Sequence, residues 1–296
     1  MLKHILINLF FCLCMQPLFA QMSLSELNKQ VQERFAKVEG RFAVAYKDLQ
    51  SGEMLLLNEK ESFHAASTMK TPVMMEVYRQ TSQGKFKVTD SLVVKNQFKS
   101  IVDGSPYSLS TSDDSADDIY KMIGHKMTIY DLVYQMITVS SNLATNVLID
   151  LVDAKNANAF MRKLGAQDIQ VLRGVEDTKA FRQGLNNSVT AYDLMLIFDK
   201  LSQRKVVSKK ASDAMIKVLF DQKFNDLIPQ QLPKEVKVAH KTGWITGVHH
   251  DSGIVYLPNG KKYVLVILSK QLKNEAEGKK AIADVSEAIY DYAMTR

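Results

Sequence analysis

An α+β fold follows from three features of this sequence: strand patterns near both ends, a long helical stretch between them, and a helical segment outside each group of strands. The expected architecture is an antiparallel sheet flanked by terminal helices, with residues 21–65 and 231–296 forming an α/β lobe and residues 66–230 an inserted all-helical lobe of the same single domain.

The first helix is expected over Ser23 to Val38, where Leu27, Val31, Phe35 and Val38 recur at helical spacing and Ser23 or Ser25 can cap. Arg41 to Asp48 then reads as a strand. Gln50-Ser51-Gly52 is a turn signal and Met54 to Leu57 a second strand, so the two form a hairpin. From Ala66 to Gln230 the pattern is mainly helical, with Thr128 to Asp131 as a capping box before Ile129, Leu132, Val133 and Met136. Ser105 to Asp118, rich in Ser, Asp and Thr, reads as an exposed loop. Strand character returns in Val236 to Thr242, Ser252 to Leu257 and Lys262 to Ser269, with a tight turn at Pro258-Asn259-Gly260. A last helix, Asn274 to Met294, places Ala281, Val285, Ala288 and Ile289 on one side.

Composition narrows the function classes. In 296 residues, 46% are apolar, which is ordinary for a globular protein. Lys3 and His4 precede an apolar run from Ile5 to Phe19 that ends at Ala20-Gln21. Residues 1–20 therefore read as a cleaved signal peptide, too short for a comfortable span, and the product is expected in the periplasm or outside the cell. An uncleaved anchor is the alternative. Both cysteines, Cys12 and Cys14, lie in this leader, so the mature chain would have no thiol nucleophile, Cys-ligated zinc or disulfide. The net charge of +6 comes from 38 basic and 32 acidic residues spread along the chain. No arginine-rich tract or basic-aromatic ladder suggests nucleic acid. A monomer with a small-molecule substrate, and no membrane insertion once the leader is removed, is expected.

Three short motifs carry the chemistry: Ser67-Thr68-Met69-Lys70, Ser140-Ser141-Asn142 and Lys241-Thr242-Gly243. Ser-x-x-Lys also occurs at Ser82 to Lys85 and Ser202 to Lys205, but these lie in polar surroundings that read as surface. Ser67 instead opens a mostly apolar helix, in which Pro72 is tolerated near the start. Positions i and i+3 share a helical face, which brings the Lys70 amine toward the Ser67 hydroxyl. A serine needs such a base, and Lys70 can serve if burial and the nearby Lys241 charge lower its pKa. The helix start adds free N–H groups for an oxyanion. Ser140-Ser141-Asn142 interrupts two apolar helical patterns; it is either a helix-joining turn or a proton relay, Ser140, with a substrate-binding amide, Asn142. In the third motif, Lys241 offers a cation for a carboxylate. Gly243 permits close approach of a ligand, and the Trp244 N–H supplies a second oxyanion donor.

The ordered trio, the leader and His250-Asp251-Ser252-Gly253-Ile254-Val255 resemble the class A serine β-lactamases and their penicillin-recognising relatives, over nearly the whole mature chain. The resemblance implies the β-lactamase/transpeptidase-like fold and opening of β-lactams through an acyl-enzyme on Ser67. It implies Lys70 as base, Ser140 as relay, and Lys241 with Thr242 as carboxylate anchors. It also implies that Asn146 braces the loop carrying the deacylation base. Two departures stand out. Ser141 occupies a position where the family usually has aspartate. The family's Glu-x-x-Leu-Asn motif is present only as Glu176, because Lys179-Ala180 occupies the Leu-Asn positions. Glu176 is nevertheless the expected deacylation base, since a water must lose a proton beside the acyl-enzyme. Without it, the chain would be a D,D-peptidase-like hydrolase of peptidoglycan peptides, or a sensor that stays acylated. His249, His250 and Asp251 are consecutive on a strand and so point to opposite faces; no metal or other cofactor is expected. His64 and His240 are expected to pack or to support the site.

Overall fold

A computed structural model describes residues 22–296; the expected signal peptide lies outside the described residues. In chain order the main elements are α1 (Leu24–Phe35), β1 (Arg41–Asp48), β2 (Met54–Leu57), α2 (Lys70–Ser82), α3 (Ile129–Thr138), α4 (Asn142–Val152), α5 (Ala154–Lys163), α6 (Thr178–Arg182), α7 (Ala191–Ser202), α8 (Lys209–Phe220), β3 (Lys237–Ile245), β4 (Val248–Tyr256), β5 (Lys262–Lys270) and α9 (Glu275–Met294). Short two-stranded pairings and 3-10 turns fill the connections.

The strands form one antiparallel sheet in the order β2-β1-β5-β4-β3, so the two ends of the chain meet where β1 pairs with β5, Arg41 opposite Lys270. Their alternation separates two apolar layers. Val44 and Tyr46 of β1 and Leu265 and Ile267 of β5 join a core with Leu27 and Val31 of α1 and Val285 and Ile289 of α9. Ala43, Ala45, Val264 and Val266 face the other way, into the core shared with α2, α3, α4 and α7. Burial of each such Leu, Ile or Val side chain contributes roughly 1.5–3 kcal/mol relative to exposure.

Local chemistry sets the boundaries. Ser23 caps α1, accepting from Glu26 N while the Glu26 carboxylate takes Ser23 N–H in return. Thr128 caps α3 and Asn274 caps α9. Helix α1 stops at Phe35 rather than Val38, although Val38 is still buried against the same core. The stretch Ser105 to Asp118 departs from the expected exposed loop: Leu109 and Asp114 are buried, and short 3-10 turns cover Thr111–Asp113 and Asp117–Met122. Among the described residues, no helix is long and apolar enough to cross a membrane.

Candidate active site

The edge strand β3 lies against the start of α2. A 3-10 turn, Ala66–Met69, precedes the helix proper, so Ser67 sits in that turn and Lys70 is the first α-helical residue. Ala66 has φ of 44°, in the left-handed region that a side chain disfavours. Its N–H is held by His64 Nδ1 at 3.1 Å. Gly243 is required here by space, because a Cβ at that position would lie 2.8 Å from Ser67 N and 2.9 Å from Thr68 N. Strand and Ser67 turn therefore touch through backbone.

Lys70 is fully buried, and its ammonium donates to Ser140 O at 2.6 Å, Ser140 Oγ at 3.2 Å and Asn142 Oδ1 at 2.9 Å. None of these bonds goes to Ser67, so proton removal from Ser67 requires one donor to be released, as free-enzyme geometries commonly do. Burial lowers the Lys70 pKa to about 7, against the opposing pull of Asp114 and Glu176. Lys241 is equally buried and donates to Ser140 Oγ at 3.1 Å and Thr242 O at 2.8 Å. Burial, then the charge of Lys70, push its pKa well below the usual lysine range. Two ammonium groups on one hydroxyl disfavour each other, so the pair favours one neutral and one charged amine. The two lysines occupy both lone pairs of Ser140 Oγ and leave its proton free to be donated.

The second motif is a helix junction. Ser140 has φ of 59°, Ser141 caps α4 by accepting from Ala144 N, and Asn142 is the first residue of α4. The Asn142 amide spans the site: Oδ1 accepts from Lys70, while Nδ2 donates to Glu176 Oε1 at 3.0 Å and to Asp113 O at 3.1 Å. Burial raises the Glu176 pKa, with repulsion from Asp113 and Asp114 added, while hydrogen bonds from Asn142 and the Ser110 backbone oppose it. Glu176 also has a left-handed φ, 63°. Ala66 beside Ser67, Ser140 and Glu176 are thus all left-handed non-glycine residues, a strain held in place by surrounding contacts.

A cavity of about 640 Å³ opens over these groups, lined by Ser67, Ser140, Asn142, Glu176, Arg173, His64 and, at its outer edge, Trp244, Ile245 and Phe181. Thr242 lies elsewhere. Its Oγ1 is buried without a partner, and the residue lines a smaller hollow of about 200 Å³ together with Phe224, Gly243 and Trp244. Strand alternation explains this, since Lys241 and Thr242 leave β3 on opposite sides. Trp244 borders both hollows and stacks edge-on with Phe224 at 4.9 Å.

The loop carrying Glu176 is fastened by residues that sequence motifs did not single out, and by one that the family resemblance did. Asn146 receives Val175 N–H at 2.6 Å and donates to Val175 O at 2.9 Å. Asp177 accepts from Ser100 Oγ and from Ile101 N, both at 2.9 Å. Arg173 donates to Leu185 O, Gly174 O and Asn186 Oδ1. Lys179, in the Leu position of the family motif, reaches outward to Asp103 at 2.8 Å, while Ala180 is buried. The histidines are likewise committed: His250 bonds to His64 O at 2.8 Å, His249 to Glu275 at 3.0 Å, and His240 to Asp251 at 2.9 Å. No cluster of three metal-ligating side chains occurs among the described residues.

Residues 26–293 match the model of the beta-lactamase enzyme family. This chain belongs to that family. Beta-lactamase VEB-1 of Pseudomonas aeruginosa is 22% identical, over 99% of this chain and 97% of that protein. The crystal structure of a beta-lactamase from Sphaerobacter thermophilus is 26% identical, with a TM-score of 0.78, covering 93% of this chain and 99% of that one. A variant of PBP-A, solved as an acyl-enzyme complex with penicillin G, is 25% identical with a TM-score of 0.79, covering 92% of this chain and 98% of that one.

Proposed function

We propose that this β-lactamase family member hydrolyses β-lactams in two steps. A neutral Lys70 takes the Ser67 proton and the Ser67 oxygen attacks the lactam carbonyl. The N–H groups of Ser67 and Trp244 hold the oxyanion. Ser140 passes its proton to the ring nitrogen as the carbon–nitrogen bond breaks, and regains one from a lysine. Asn142 holds the acyl amide, and Lys241 with the Gly243 backbone receives the carboxylate end. Glu176 then deprotonates a water that attacks the ester and frees Ser67. The leader reading adds export and cleavage after Ala20, with the mature protein acting outside the cytoplasm as a monomer that confers β-lactam resistance.

The observation that carries this reading is the unbroken hydrogen-bonded line from Lys241 through Ser140 to Lys70, Asn142 and Glu176, beside Ser67. It joins the base for acylation to the base for deacylation through one amide. Time-resolved intact-mass analysis with benzylpenicillin tests it. The expected result is a transient adduct of the antibiotic's mass, absent from Ser67→Ala, with hydrolysis in that variant reduced on the order of 10⁴-fold or more. An adduct of the same yield on Ser67→Ala would refute the assignment. A lasting adduct on the wild type would favour the peptidase or sensor reading, which the replaced Leu-Asn positions keep in play.

A further inference from the structure

We infer that Asp114 is the carboxylate that fixes the Ser140-Ser141-Asn142 loop, making it a positioning residue for acylation at Ser67. Asp114 is only 9% exposed, while its neighbours Asp113, Asp117 and Asp118 face solvent. Its Oδ2 accepts from Asn142 N and Leu143 N, both at 2.9 Å, from Tyr120 OH at 3.1 Å and from Ser141 Oγ at 3.4 Å. Its Oδ1 accepts from Ala116 N at 3.2 Å. Asn142 and Leu143 open α4, so their N–H groups have no acceptor within the helix, and an anion at this end is favoured by the helix dipole. The adjoining Asp113 carbonyl holds Asn142 Nδ2 at 3.1 Å. These two contacts together orient the amide, with Oδ1 toward Lys70 and Nδ2 toward Glu176.

The aspartate that the family resemblance leads one to expect at position 141 is a serine, and a carboxylate arrives at the same loop from a segment 27 residues earlier. Loop position decides whether the Ser140 hydroxyl lies between the two lysines, so Asp114 acts through that loop and touches neither substrate nor Ser67. Its charge has a second effect. It is the leading influence holding the Lys70 pKa up against burial; Glu176 acts in the same direction, and the Lys241 amine shares Ser140 Oγ with Lys70.

The assignment rests on Ser67 acylation as proposed above, and the test separates the two. Acylation by benzylpenicillin is followed by intact mass and by kcat/KM from pH 5 to 9 in wild type, Asp114→Ala, Asp114→Asn and the double variant Asp114→Ala/Ser141→Asp, each checked for folding by thermal unfolding. Asp114→Ala is expected to acylate about 10- to 100-fold more slowly, the scale of a misplaced catalytic group. In Asp114→Asn, Lys70 loses its proton more readily, so the acidic limb of kcat/KM moves to lower pH. Placing the carboxylate at position 141 is expected to restore at least about tenfold of the loss. Should Asp114→Ala not fold, Asp114→Asn carries the test alone through its pH limb. Acylation within about twofold of wild type together with an unmoved acidic limb overturns the role of Asp114, and so does a folded double variant with no recovery. Absence of an adduct on the wild type would instead bring down the proposed function.

Discussion

Lys70, Ser140 and Lys241 stand at the start of a helix, in a tight junction between two helices and on a strand of the main sheet, and their polar atoms bond one another. Glu176 lies in the segment from Arg173 to Asn187, where only the five residues Thr178–Arg182 are helical. Apart from its own short-range turns, this segment is tied to the rest of the molecule chiefly by side-chain hydrogen bonds: Asn146 with the Val175 backbone, and Asp177 with Ser100 and Ile101. The difference teaches where each step of the proposed reaction is vulnerable. The acylating half is positioned by packed backbone, and a buried group removed from it disturbs elements that the core also needs. The deacylating half depends on a few long-range hydrogen bonds, each worth about 0.5–1.5 kcal/mol net, and a mutation can loosen it while the fold survives.

That contrast can be broken. Removing the carboxylate should separate the two halves most sharply: Glu176→Ala is expected to lengthen the acyl-enzyme lifetime by roughly 10²- to 10⁴-fold, while acylation changes far less. Rapid-quench mass analysis measures both, and an unchanged lifetime would remove Glu176 from the mechanism. The next effect falls on the packed half. Gly243→Ala would drive a methyl group to within 3 Å of the Ser67 and Thr68 backbone nitrogens, and acylation is expected to slow by about 10²-fold. Wild-type acylation in this variant would show that strand and nucleophile turn are not rigidly docked. The smallest expected effect is a loosened loop. Asn146→Ala leaves Val175 without its partner and should speed local proteolysis or hydrogen exchange from Arg173 to Asn187, with deacylation slowed about tenfold and acylation retained. Loss of acylation to the same degree would mean that the halves are not separable.

Much of the packed half was legible in the sequence because its signals are local. Short apolar runs bounded by turn signals, rich in β-branched and aromatic residues, located β1 and β5 nearly to the residue, and Ser23 and Thr128 announced their helices by capping chemistry. The placement of Ser67 and Lys70 at the start of a helix was legible for the same reason, although Ser67 falls in a 3-10 turn and the Lys70 amine bonds to Ser140 and Asn142. Asp114 was not, since a run of Ser, Asp and Thr looks solvated whichever of its carboxylates turns inward. The bonds from Asp177 to Ser100 and Ile101 span more than 70 residues, and no local pattern encodes them. Thr242 shows a different limit. Motif membership grouped it with Lys241, whereas the strand geometry that follows from the same sequence sends the two side chains apart.

The meeting of β1 with β5 also has a bearing on how the protein comes into being. A strand that begins at Arg41 waits for partners that end at Lys270, so the sheet closes one of the longest loops the chain allows. Closure of that kind slows folding. The pieces that carry Ser67 and Ser140 are complete early. The strand that seats Lys241 is held through β4 and β5, and so the hydrogen-bonded line from Lys241 to Glu176 is drawn only when those late strands have paired.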